Sequence, residues 1–112
     1  MQLLRVTGLP AGALAAAAEF YARVFPPLNP PPEGEDLLIV FPPADHTHQA
    51  WRLAAVQQLA RDWAPARVNA VASASEAAIA AAAAYLDQAP GLTGQVLELD
   101  DAGAGAVVSA GQ

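Results

Sequence analysis

No cysteine occurs in the 112 residues, so neither a disulfide framework nor thiolate chemistry enters the reading. Charge is scarce as well: charged residues make up 14% of the chain, five of them basic, and the net charge is −6. So few cations leave little with which to neutralise phosphates, which argues against nucleic acid and anionic membrane surfaces as partners. No apolar run approaches the roughly 18 to 20 residues of a membrane span. The alanine run from Ala13 to Ala18 follows Pro10 and closes on Glu19. Alanine is only weakly apolar, so this is not read as a secretion signal, and a cytoplasmic location is expected. What the chain does have is apolar composition, at 54%. Much of its surface must then be alanine-like or covered by another chain, and self-association is the expectation.

Strand and helix signals alternate. Leu3 to Val6 is a short apolar strand that ends at the turn Thr7-Gly8-Leu9-Pro10, so residues 1–8 are strand and turn. A helix is predicted over 11–25, where Leu14, Ala18, Tyr21 and Phe25 recur at helical spacing before Pro26-Pro27. The proline-rich segment 28–36 is an extended connection. Leu37 to Phe41 is a continuous apolar run, as expected of a parallel strand covered on both faces. A second helix over 46–64 stops before Pro65. A third strand spans 67–72. Ser73 and Glu76 have the spacing of a capping box, which starts a helix over 74–87. The last strand covers 95–99, and 101–112 reads as a loose tail rich in glycine and alanine. The expected fold class is a single α/β domain of three layers: a four-stranded parallel sheet with helices on both faces.

Three segments together carry a family resemblance. Ala54 to Pro65 resembles the long helix that ends in "Leu-Ala-x-Glu-(Leu/Trp)-Ala-Pro" in the short-chain dehydrogenase/reductase family. Arg67-Val68-Asn69-Ala70-Val71 resembles that family's sixth strand. Leu92 to Asp100 is similar to its last strand, "Ile-Thr-Gly-Gln-x-x-x-Val-Asp-Gly-Gly". The chain thereby corresponds to a truncated Rossmann-like fold, from the fourth strand to the seventh. The resemblance gives Arg67, Asn69, Thr93 and Gly94 structural roles. It also implies what this sequence does not contain. The family binds its dinucleotide on Thr-Gly-x-x-x-Gly-x-Gly, and Thr7-Gly8-Leu9-Pro10-Ala11-Gly12 is only a superficial echo of it. The family's Tyr-x-x-x-Lys pair falls, counting back from Ala64-Pro65, on Asp45 and Gln49, neither of which can exchange or tune a proton in the same way. The catalytic serine and the Pro-Gly beside the nicotinamide have no counterpart at Pro42-Pro43 and Ala72-Ser73-Ala74. No catalytic residue and no cofactor are therefore assigned, and the chain reads as a pseudoenzyme.

Other residues offer weaker chemistry. His46 and His48 are an i,i+2 pair at a helix start, where their rings diverge, and no further His or Cys completes a metal site. They are read as exposed helix-start residues. Asp100-Asp101 could bind a cation but reads as a solvated strand end. Tyr21, Phe25, Trp51 and Trp63 are the interface candidates, because the first two helices correspond to the family's dimer helices; for the two tryptophans, core packing is the competing role. The leading functional expectation is a non-catalytic protein that self-associates or partners a full-length dehydrogenase relative. The alternative is a small-molecule or nucleotide binder using the crevice at the strand C-terminal ends.

Overall fold

In the computed structural model the protein is described over residues 1–99 and the backbone of 107–109. The chain runs β1 (Gln2–Arg5), α1 (Ala13–Glu19) continued by a π-helical turn (Phe20–Val24), β2 (Leu37–Phe41), a 3-10 turn (His46–His48), α2 (Gln49–Asp62), β3 (Val68–Ala72), α3 (Glu76–Asp87), β4 (Val96–Leu99) and β5 (Val107–Ser109). The strands lie side by side in sequence order. The first four are parallel, as the sequence predicts. β5 pairs antiparallel with β4, within the segment the sequence left as a loose tail.

Side-chain alternation along the strands sorts the core into two layers. Leu37, Ile39 and Phe41 of β2 with Val68, Ala70 and Ala72 of β3 face α1 and α2, meeting Phe20, Ala55, Val56 and Leu59. Leu38, Val40, Val71 and Leu97 face the other way, onto Ile79, Ala82 and Leu86 of α3. β2 and β3 are buried along their whole length, which is why β2 reads as an unbroken apolar run.

Local expectations shift in three places. The cap of α3 is Ser75, whose hydroxyl accepts from the Ala78 amide. Ser73 instead accepts from the Ser75 amide, so the capping box expected from Ser73 and Glu76 does not form. Glu76 turns outward and makes two hydrogen bonds with Arg5, at 2.8 and 2.9 Å. In α1 the residues facing the sheet are Ala16 and Phe20, while Leu14, Ala18, Tyr21 and Phe25 face solvent. The helix is thus apolar on both sides.

The N-terminal edge of the sheet is closed by polar contacts. Arg67 pairs with Asp36 at 2.8 Å and donates to the carbonyls of Leu86 and Ala89 at 3.0 and 2.7 Å. Asn69, fully buried, donates to the Leu92 carbonyl at 2.9 Å and accepts from the Gln95 amide at 3.0 Å. The Thr93 hydroxyl accepts from the Val68 amide. Gly94 donates to the Val68 carbonyl with φ +74, a left-handed conformation that a side chain would strain. Four residues assigned structural roles from the resemblance thus form one joint between β3 and the entry to β4. Removing one side of it exposes the rest: Asn69→Ala should lower unfolding free energy by about 2 to 4 kcal/mol, since the part-buried Leu92 carbonyl and Gln95 amide lose their partner and the site of a fully buried side chain is left empty. Urea denaturation reads this as a lower midpoint at unchanged slope.

Candidate functional site

A cavity of about 280 Å³ opens where β1 and β2 end and α2 begins, lined by Leu9, Pro10, Pro42, Asp45, His48 and Arg52 among others. Open parallel sheets present ligands at this end of their strands, because successive connections part there. Two side chains one helical turn apart at the start of α2 turn toward it.

His48 is not the exposed helix-start residue expected from sequence; it is 6% exposed. The Trp51 indole donates to its Nδ1 at 3.1 Å, and its Nε2 lies 2.9 Å from the Ala11 carbonyl. An indole N–H only donates and a carbonyl only accepts, so the ring carries its proton on Nε2 and stitches α2 to the turn after β1. Both nitrogens are thereby occupied. His46, by contrast, is exposed, so the pair diverges as its spacing implies. Among the described residues no group of three His, Cys, Asp or Glu is placed to hold a metal ion, and Asp100-Asp101 lie outside those residues.

Arg52 is the functional candidate that sequence reasoning missed. It is 3% exposed, with one hydrogen bond, from Nη1 to the Pro42 carbonyl at 3.0 Å. Its Nε is buried without a partner. The guanidinium lies 4.6 Å from the centre of the Phe41 ring and 5.8 Å from that of Trp51, so aromatic faces hold the charge. Burial lowers its pKa from the ordinary value, and the charge of Glu98 opposes that shift. A signal existed in the sequence: Arg52 stands in phase with Ala55, Val56 and Leu59, the buried stripe of α2.

Asp45, the position matched to the family's tyrosine, is exposed and caps the 3-10 turn, accepting from the amide and hydroxyl of Thr47. The Thr47 hydroxyl and then its amide hold the Asp45 carboxylate below its ordinary pKa. Gln49, matched to the lysine, opens α2 and is exposed. The family's dinucleotide does not fit here. Gly8 takes a left-handed conformation, but Leu9 and Pro10 follow it where a glycine-rich phosphate loop would continue. The cavity also falls at the small end of ligand pockets, below the roughly 300 to 1,000 Å³ of drug-sized sites.

The four interface candidates separate by depth. Trp51 is half-buried, with its ring 5.5 Å from Phe20 and 5.6 Å from Phe41. Trp63, also half-buried, packs on the same core layer. Tyr21 and Phe25 are exposed neighbours, their rings 6.4 Å apart. Among the described residues no helix is long and apolar enough to cross a membrane.

Set beside known proteins, residues 4–99 match a family model described as "short chain dehydrogenase-like protein". No curated protein and no solved structure matches the chain.

The Asp45 cap has a pH signature. A depressed folded-state pKa contributes stability that is present above the unfolded value of 3.8 and is lost as pH falls through the lower folded value. The stability difference between the wild type and Asp45→Ala should therefore hold at neutral pH and shrink below about pH 4. Thermal melts of both proteins from pH 3 to 7 check it.

Proposed function

The chain belongs to the short-chain dehydrogenase-like family, and on that premise we propose that it is a non-catalytic member which works by assembling with a second copy of itself. One observation carries the reading: the outward stripe of α1 and its π-helical extension is apolar and uncovered. Leu14 is 87% exposed, and Ala18, Tyr21 and Phe25 follow it on the solvent side. Their spacing of four, three and four residues is that of a helix-pairing seam, in which small and large side chains interlock with a facing helix. The opposite stripe already packs on the sheet through Ala16 and Phe20. Full burial of one such anchor contributes roughly 1.5 to 3 kcal/mol, against association costs of about 4 kcal/mol or more. Leu14, 87% exposed, has nearly all of that burial to gain, while Tyr21 and Phe25, 46% and 38% exposed, have under half, and the six anchors of two copies act together against a single association cost.

The absence of catalysis is supported by the chemistry at the matched positions. A general acid–base pair needs a group that gives and takes a proton near neutral pH. Asp45 is held as a carboxylate by Thr47, and Gln49 does not titrate. A full-length relative of the same family that presents a like helix face is a second candidate for the partner, distinguished from self-pairing by mixing the two proteins.

Two measurements test these statements. Light scattering should give twice the chain mass at micromolar concentration, and Leu14→Glu with Phe25→Glu should return it to one chain with unchanged circular dichroism. A single-chain mass for the wild type, independent of dilution, refutes the assembly. Calorimetric titration with NADH and NADPH should show no micromolar binding, and carbonyl reduction should not rise above the protein-free rate; saturable binding overturns the non-catalytic reading.

A further inference from the structure

The two most buried arginines of this protein are solved differently. Arg67 meets a carboxylate and two carbonyls. Arg52 meets one carbonyl and two aromatic faces, and its Nε has no partner. Among the described residues the ion pairs are Arg5–Glu76, Arg23–Glu19 and Arg67–Asp36, so Arg52 has no carboxylate within pairing distance. Glu98 opposes the effect of burial only from beyond that distance, and a buried guanidinium with no carboxylate in contact costs several kcal/mol, on the order of the net stability of a small domain. Folds keep such a group where something else supplies the charge.

What can supply it is set by the cavity. Arg52 lines the space of about 280 Å³ at the strand ends, whose other walls include Leu9, Pro10, Ala16 and Pro42. The guanidinium fork matches a carboxylate or phosphate in shape and charge. Arg52 is the one cation among the lining residues and Asp45 the one anion, so a second negative charge on the ligand would enter the cavity with no cation to answer it. The apolar walls favour a short hydrocarbon stem over a second polar group. His48 contributes no donor, since both its ring nitrogens are engaged.

We infer that the cavity between the ends of β1 and β2 and the start of α2 binds a small aliphatic monocarboxylate, with the Arg52 guanidinium as its counter-ion and the proline-lined wall around its stem. α1 contributes only the buried Ala16 to this cavity, on the face opposite its exposed stripe, so the site does not depend on assembly.

The experiment titrates the full chain with butyrate at constant ionic strength, following the melting temperature and the heat of binding. Butanol, chloride and inorganic phosphate serve as controls. Butyrate should raise the melting temperature saturably; butanol and chloride should leave it unchanged, and phosphate should act at least about fivefold more weakly. Arg52→Gln should abolish the response. Because that substitution also disturbs buried packing, Ala44→Glu gives an independent reading: Ala44 is exposed and lines the same cavity, so the substitution leaves the core untouched. It should weaken butyrate about five- to tenfold by like-charge repulsion. Equal shifts with chloride, no saturable response to butyrate, stronger binding of phosphate, or an Ala44→Glu protein that binds as well as the wild type each overturn the inference. Repeating the titration on Leu14→Glu with Phe25→Glu separates it from assembly, since the response should be the same in both proteins.

Discussion

The fold depends on how β3 is held at its N-terminal end. A parallel sheet gains strands only through crossovers, and each crossover returns the chain to the same edge, where its turn must find partners for buried backbone groups. Here one strand provides nearly all of them. Arg67 gathers the loop before β2 through Asp36 and the end of α3 through Leu86 and Ala89. Two residues on, Asn69 fixes both sides of the turn into β4. Gly94 then passes close to α2, where an added Cβ would sit 3.6 Å from Gln57 and 3.8 Å from Ala60. The match of this segment to its family is thus a match of architecture: the residues that carry the resemblance are those that close the sheet.

The opposite end is built on other principles. At the N-terminal edge Arg67 and Asn69 are each held by several partners; at the C-terminal edge His48 has both ring nitrogens engaged, but Arg52, packed against Phe41 and Trp51, has a single hydrogen bond and is the one described residue with a buried side-chain polar atom left unpartnered. Saturated networks rigidify, whereas a half-answered cation in a low-dielectric wall stays responsive to what arrives. The division follows the general rule that α/β sheets keep stability at one end of the strands and binding at the other. In this chain the denser polar network lies at the N-terminal ends and the unpartnered Arg52 Nε at the C-terminal ends.

The sequence made the architecture legible because its signals were local and redundant. Leu37 to Phe41 is apolar throughout and Val68 to Ala72 is apolar but for Asn69, and strands buried on both faces admit few other readings. Prolines marked the ends of α1 and α2. Where two residues competed for one job, the sequence could not decide: Ser73 and Ser75 both suit a cap, and the backbone chose Ser75, whose extended conformation (φ −94, ψ 116) allows it. The helical spacing of Leu14, Ala18, Tyr21 and Phe25 identified a helix but not its inward side, since alanine at 13, 16 and 17 suits a close approach to the sheet equally well. The site was hardest. His48 and Arg52 acquire their character from Ala11 and Pro42, which are distant in sequence and contribute only carbonyls. Helical phase marks Arg52 as buried, but a side chain answered by backbone leaves no pattern of residue types that names its partner.

The two tryptophans mark the two ends of α2, and this gives the molecule an optical consequence. Trp51 donates to His48 beside the guanidinium of Arg52, while Trp63 stands at the other end of the helix against the proline-rich loop of residues 31–36. Indole emission follows the local field and the wetness of the ring, so the native spectrum is a sum of two separate reporters. One reads the strand-end cavity and the other the closed edge, with no label added. A change confined to one indole locates an event within the domain before any coordinate is measured.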